Sequence, residues 1–305
     1  MTVLRDFAGW PRGPLHLAIG VFDGVHVGHQ ALVHSVSLRA QAAGATPMAA
    51  TFDPLPIEVL APGAPPSSLS DVDERCALLE DAGAKAVVVF QFTPEFAALT
   101  PEEFARRLCA AGDLREVCVG HDFQFGKDRS GDVRTLADLG KKLGFNVHNP
   151  PPVSIGGEIV SSTRIRNALL AGDIDEAARL LGRHYAVTGV VEHGDKRGRA
   201  LGFPTVNLGV PPSRLLPRDG IYAVWAHVNG KRVATAASLG VRPTFGAGER
   251  RLEAFLLDWS GDLYGDRVRA EFVKRLRDEL RFSSAAELAE QIKRDVAETR
   301  KALGL

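Results

Sequence analysis

Apolar positions along this chain follow two regimes. In the first, short unbroken apolar runs alternate with segments whose apolar residues recur at helical spacing. Residues 15–22 form one such run and predict a fully buried strand. A glycine-rich turn follows, then residues 30–43 at helical spacing, stopping at Gly44 as helices often do. Strands are predicted over 46–52, 86–92 and 117–120, and helices over 71–82 and 132–143. Thr100-Pro101-Glu102-Glu103 is a capping box with proline at the first helical position, so a helix starts there. Strands alternating with helices predict a parallel α/β sheet.

The second regime begins near residue 183, after two short predicted helices over 163–170 and 174–182. Asp173 and Glu176 suit the N-cap of the latter and its third-position partner. Beyond Tyr185 the chain is strand-rich. Segments 221–228 and 232–237 flank Asn229-Gly230, a strong hairpin signal, and further strands are expected over 251–259 and 267–273. Residues 284–303 form one amphipathic helix, whose apolar face suits its own domain or a second copy. The pattern therefore predicts an α/β domain over 1–183 and a β-rich domain over 184–305, closed by a C-terminal helix.

Composition adds exclusions. The 37 basic and 37 acidic side chains cancel, which excludes a general polyanion binder, so no nucleic-acid partner is expected. Three cysteines without a CxxC pair give no disulfide framework and no zinc knuckle. No window approaches the ~18 consecutive apolar residues of a membrane span, and no signal peptide is visible. A cytoplasmic protein with no membrane partner is expected. If its substrates are anions, the positive field that binds them must be local.

Three stretches carry chemistry. Gly20-Val21-Phe22-Asp23-Gly24-Val25-His26-Val27-Gly28-His29 joins the first predicted strand to its helix. Gly20, Gly24 and Gly28 allow close backbone approach, and a helix N-terminus at a strand end favours phosphate. His26 and His29 would stand beside that phosphate and donate to its oxygens; alternatively they are surface residues near a turn, while a metal pair lacks a nearby Cys, His or Glu to complete a zinc set. The stretch lacks both the Walker pattern and GxGxxG. In Ser161-Ser162-Thr163-Arg164-Ile165-Arg166, two arginines sit in the first turns of a helix, where the dipole disfavours cations. An external anion would offset that cost; equally, Ser162 or Thr163 is only an N-cap and the arginines are solvated. The third stretch runs from Gly194 to Asn207, with Lys196, Arg197 and Arg199 among Gly194, Gly198 and Gly202. It reads as a phosphate cradle or as a basic surface hairpin. Thr205 and Asn207 lie two apart, face one way in an extended segment, and offer oxygen ligands suited to Mg²⁺. Glu253 is the only acid inside an apolar strand, either a base or an outward-facing carboxylate.

Taken in order, GVFDGVHVGH, TFDPLP, GHDFQFG, SSTRIR and the flavokinase-like GRALGFPTVN resemble the bacterial bifunctional riboflavin kinase/FMN adenylyltransferase (FAD synthetase) family over nearly the whole chain. The resemblance implies a Rossmann-like nucleotidyltransferase domain followed by a six-stranded flavokinase barrel. It implies riboflavin, ATP, FMN and FAD as substrates and products, with Mg²⁺ accompanying ATP. It places nucleotide and phosphate contacts at Gly20, Phe22, Asp23, Gly24, Gly28, Ser162, Thr163, Arg166, Gly194, Lys196, Arg199 and Gly202. Asp122 and Phe123 become flavin contacts, Thr205 and Asn207 metal ligands, Glu253 the kinase base, and His26 and His29 adenylyl-transfer residues. Leu55 and Gln124 depart from the histidine and arginine common at those positions. HxGH alone is shared with class I aminoacyl-tRNA synthetases, but no KMSKS-like loop or anticodon-binding domain is visible. A non-enzymatic flavin-binding protein would keep the fold without needing Thr205, Asn207, Glu253, His26 and His29 together.

Overall fold

A computed structural model describes residues 2–63, 68–192, 203, 205–241 and 250–305. The chain divides into two compact units, Met1–Ser162 and Thr163–Leu305.

The first unit contains β1 (Thr2–Arg5), β2 (Pro14–Ile19), α1 (Val27–Ala43), β3 (Thr46–Asp53), α2 (Val72–Asp81), β4 (Ala86–Gln91), α3 (Pro101–Ala111), β5 (Asp113–Val119), α4 (Val133–Leu143) and β6 (Asn146–His148). The six strands form one sheet in the order β1-β4-β3-β2-β5-β6, every pair parallel. Side chains alternate between its faces. Ala18, Ala49, Val87, Val89 and Cys118 pack with Leu32, Val33 and Val36 of α1 and Leu79 of α2. Leu17, Ile19, Met48, Val88, Phe90 and Val117 pack with Phe104 and Leu108 of α3 and Leu136 and Leu139 of α4. Both faces are thus covered, which is why strands such as Ala86–Gln91 read as continuous apolar runs. Strands β2, β3 and β4 step one way across the sheet, while β5 and β6 step the other. The order reverses between β2 and β5, the switch point at which open α/β sheets bind ligands beyond the strand C-termini.

Two strands of this sheet escape the pattern reading. β1 and β6, of four and three residues, lie at the two edges of the sheet. They are too short to show a period. Helix α1 begins at Val27, three residues before the predicted start, because His26 serves as its N-cap. The capping box appears as predicted: Thr100 accepts from Glu103 N–H and donates to the Glu103 carboxylate, which also accepts Thr100 N–H.

Helix α5 (Ser162–Ala171), which starts at the last residue of the first unit, and α6 (Ile174–Leu181) open the second unit. Then come β7 (Tyr185–Glu192), β8 (Val206–Gly209), β9 (Gly220–Val228), β10 (Lys231–Val241), β11 (Arg250–Leu256), β12 (Arg267–Arg277) and α7 (Ala285–Ala302). The strands close into an antiparallel barrel, β7-β8-β11-β10-β9-β12. Its interior holds Tyr185, Tyr222, Val224, Leu239, Leu252, Val268 and Phe272, all nearly or fully buried. Arg218 N–H donates to Leu169 O at 2.9 Å, so the helix pair α5–α6 is fastened to barrel segments. Compactness divides the chain ahead of this pair; the change of sequence pattern near 183 comes after it.

Helix α7 closes on its own barrel. Arg277 donates through Nε (2.8 Å) and Nη2 (2.6 Å) to the two oxygens of the buried Asp295, and Arg300 binds Asp258. Removing one partner of such a pair leaves the other uncompensated. Asp295→Ala should therefore cost on the order of 3 kcal/mol. Urea unfolding followed by the fluorescence of Trp225 and Trp259 would measure it. A change within about 0.5 kcal/mol, the ordinary surface scale, would contradict the role of this pair.

Candidate functional site

The loop after β2 lies at the switch point. Its backbone is strained: Phe22, Gly24 and Val25 have φ of 52°, 78° and 38°. Positive φ is costly for an aromatic and a β-branched residue and persists only where the surroundings over-determine it. Phe22 and Val25 are both fully buried and anchor the loop from below. Asp23, 1% exposed, anchors it from the side. Its carboxylate accepts Leu69 N–H at 2.9 Å, and Ser70 N–H at 3.1 Å. Gly24 N–H in turn donates to Ser70 Oγ at 2.9 Å. Asp23, expected at the phosphate, is thus engaged in fixing the loop.

The two histidines meet at the start of α1. His26, 6% exposed, accepts His29 N–H on Nδ1 at 3.3 Å, which assigns its ring proton to Nε2. The rings stack at 3.6 Å, and Phe22 meets the His29 ring edge-on at 5.1 Å. A Cβ on Gly28 would come within 3.1 Å of the His26 ring, so glycine there lets the cap fold back. His29 Nδ1 is buried and has no hydrogen-bond partner among the described residues. Burial first, then His26 and Arg75, hold the His29 imidazole well below the usual histidine range. The helix start therefore offers neutral imidazole donors beside backbone N–H groups that lack intrahelical acceptors.

Ser162 joins this loop: its hydroxyl donates to Asp23 O at 3.0 Å, which uses its single O–H. Thr163 is exposed and Arg166 half-buried in the first turns of α5. Arg164 is held by Glu176 of α6 at 2.5 Å, so an internal carboxylate, not an outside anion, offsets its place at the helix start. Beyond β5, on the other side of the switch point, Asp122 is exposed and Phe123 stacks on Phe125 at 5.3 Å. Leu55 is buried at 2% exposure and Gln124 is exposed.

On the barrel, register gathers a second group. Glu253 of β11 lies opposite Asn207 of β8 on one side and Ser238 of β10 on the other. Opposed residues share a face, so these three polar side chains stand abreast. Leu252, Ala254 and Leu256 are buried on the other face, which puts Glu253 outside the barrel core. Asn207 is nonetheless 7% exposed, and its Oδ1 has no hydrogen-bond partner among the described residues. Thr205, half-buried, directly precedes β8, and Phe203 packs edge-on against Phe255 at 5.4 Å. Gly194, Lys196, Arg199 and Gly202 lie outside the described residues.

Comparison with known proteins matches each half of the chain to a family. The FAD synthetase family pattern matches residues 12–164, and the riboflavin kinase pattern matches residues 181–303. The bifunctional riboflavin kinase/FMN adenylyltransferase of Bacillus subtilis (strain 168) is 36% identical over 92% of this chain and 90% of its own length. The protein of that name from Escherichia coli (strain K12) is 37% identical over 100% and 99%. The chain belongs to this family. The FAD synthetase match contains the strained loop, both histidines and Ser162, and the riboflavin kinase match contains Asn207 and Glu253. A crystal structure described as a macrolide-efflux protein from Streptococcus pneumoniae has the same fold, with a TM-score of 0.89 at 31% identity, covering 98% of this chain and 99% of that one. Among the described residues here, no helix is long and apolar enough to cross a membrane.

Two residues of this family member escape motif reading. Arg75 of α2 is 1% exposed beneath the strained loop. The signal was available, since Val72, Arg75, Cys76 and Leu79 share one helical face and put a cation on the apolar side. Glu279 lies over Gly240, where an added Cβ would overlap its carboxylate. Burial, Asp219 and Glu253 push that carboxyl up. Nothing in the charged run around Glu279 marks it in the sequence.

Burial of a neutral His29 makes folding pH-dependent. In the unfolded chain histidine titrates near ~6.5. Above that pH neither state binds the proton. As the pH falls through it, the unfolded chain takes up a proton that the folded site refuses, and stability is lost. His29→Gln should therefore flatten the fall of the urea midpoint between about pH 7 and pH 5. Trp10 fluorescence in a Trp225→Phe/Trp259→Phe background reads the first unit. An unchanged slope would contradict a neutral, buried His29.

Proposed function

We propose that the chain makes FAD from riboflavin in two ATP-dependent steps, one at each group of residues. Family membership over nearly the full chain supports both activities. The observation that carries the division is that the FAD synthetase pattern contains the strained loop, both histidines and Ser162, while the riboflavin kinase pattern contains Asn207 and Glu253.

In the kinase step, Glu253 accepts the proton of the 5′-hydroxyl of riboflavin's ribityl chain. The freed oxygen attacks the γ-phosphorus of ATP, giving FMN and ADP. Thr205 and Asn207 would hold the Mg²⁺ of the nucleotide. The buried, unpartnered Oδ1 of Asn207 supports this, because a hard cation takes oxygen ligands. When bound, magnesium would supply charge neutralisation to the nucleotide's phosphates. Gly194, Lys196, Arg199 and Gly202 are assigned to the same nucleotide.

In the adenylyl step, a phosphate oxygen of FMN attacks the α-phosphorus of a second ATP, and pyrophosphate leaves. The nucleophile is already ionised, so the residues align and stabilise instead of removing a proton. His26 and His29 donate to the crowded α-phosphate, with Gly20, Phe22, Gly24 and Gly28 shaping the backbone around it. Thr163 and Arg166 bind phosphate. Asp23 and Ser162 are assigned to the same nucleotide site, and their hydrogen bonds also hold the loop. Asp122 and Phe123 border the flavin side. We extend this functional half to residue 183 and begin the kinase half at 184. A cytoplasmic location suits three free cysteines.

Glu253→Ala should lower FMN formation by about 10²-fold or more while leaving FAD formation from supplied FMN intact. His29→Ala should do the reverse and stall the pathway at FMN. Chromatographic separation of FMN and FAD reads both. Loss of both activities in either folded variant would contradict separate sites.

A further inference from the structure

Arg75 joins three segments that meet under the strained loop. Its Nη1 donates to Phe52 O at 2.6 Å and to Thr51 Oγ1 at 3.2 Å. Its Nη2 donates to Ser70 O at 3.2 Å, and its Nε reaches Ser70 Oγ at 3.5 Å. Both hydroxyls lead onward. Thr51 Oγ1 donates to Val21 O at 2.8 Å, and Ser70 Oγ accepts Gly24 N–H at 2.9 Å. One buried guanidinium is therefore relayed to the loop backbone at two points, on either side of Phe22 and Asp23. Few side chains can do this. A planar fork with five N–H donors meets acceptors on separate segments at once, whereas an ammonium is a single point.

We propose that Arg75 is the positioning residue of adenylyl transfer, holding the strained loop and the stacked His26–His29 pair in the shape that receives the α-phosphate. The inference rests on the adenylyltransferase reading of this site. Arg75 touches no substrate; it acts through Thr51 and Ser70. Its charge has a second effect, because it helps keep His29 neutral. The charged and titratable groups around this arrangement are His26 of the loop, Arg75 of α2 and, facing Arg75, Asp23, Asp53 at the end of β3, Glu58 in the short helix Pro56–Leu60, and the Cys76 thiol.

The test uses the full chain, where the kinase step is an internal control for folding. Arg75→Met removes both fork and charge. It should lower kcat for FAD formation from FMN by about tenfold or more, with the KM values of FMN and ATP within about threefold. The acid-side midpoint of its pH profile should move up, because the cation that holds His29 down is gone. Arg75→Lys keeps the charge, so its acid-side midpoint should stay in place while kcat still falls. Kinase activity should be unchanged in both. A kcat within about threefold of wild type in folded Arg75→Met, or a loss confined to KM, would overturn the proposal. So would identical pH midpoints in the Met and Lys variants. If Arg75→Met does not fold, Thr51→Val and Ser70→Ala each cut one relay, and each should lower kcat alone; wild-type kcat in both would overturn it. Wild-type protein that forms no FAD from FMN would instead defeat the adenylyltransferase reading itself.

Discussion

Asp23 is an ionisable acid at 1% exposure, and a buried carboxylate is tolerated only when its lone pairs are filled. Leu69 and Ser70 N–H fill them. Arg75 binds the same turn from the opposite side through Ser70. The turn at 68–70 is consequently gripped between an anion and a cation, and the loop at 22–25 is gripped with it. That is what allows Phe22 and Val25 to keep positive φ. The strained loop then delivers His26 to the start of α1 as its cap and brings His29 under the His26 ring. The polar clamp adds to the turn bond from Val25 N–H to Phe22 O and the Gln30 amide on Val25 O, which hold the same path of the chain.

The barrel solves a different problem. Its site stands on the outer face of a sheet, where alternation alone would predict solvated side chains. Asn207 is buried there all the same, with an oxygen left open. A buried polar atom without a partner is a cost that a ligand can remove. Glu253 stands beside it by strand register and not by sequence proximity, since the two lie on different strands. Neither site draws on net charge. The 37-to-37 balance is compatible with anionic substrates because the attraction comes from helix ends, backbone N–H groups and a few placed side chains.

Much of this was legible in the sequence, and the reasons for the remainder are specific. Strands buried on both faces announce themselves as apolar runs, so β2, β3 and β4 were visible. Asn229-Gly230 marked its hairpin, and Thr100 to Glu103 marked the start of α3. The glycine loop and its histidines were legible because glycine spacing at a strand end has few other uses. The start of α1 was not, because histidine is an unusual cap and its ring must fold back over a glycine. The structural role of Asp23 was not legible, because sequence gives no sign that residues 69–70, far along the chain, would hydrogen-bond its carboxylate. Arg164 looked like half of an anion site because Glu176 meets it only after two helices pack. Arg75 lay in plain view on an apolar helical face, but no motif surrounds it.

The central claim is that one chain carries riboflavin through FMN to FAD at two separate sites. A time course with riboflavin, excess ATP and Mg²⁺, with the flavins separated chromatographically, tests it most directly. FMN should accumulate first, and FAD should then grow at its expense. FMN that persists unconverted in excess ATP, or riboflavin that stays unphosphorylated while supplied FMN is adenylylated, would contradict it.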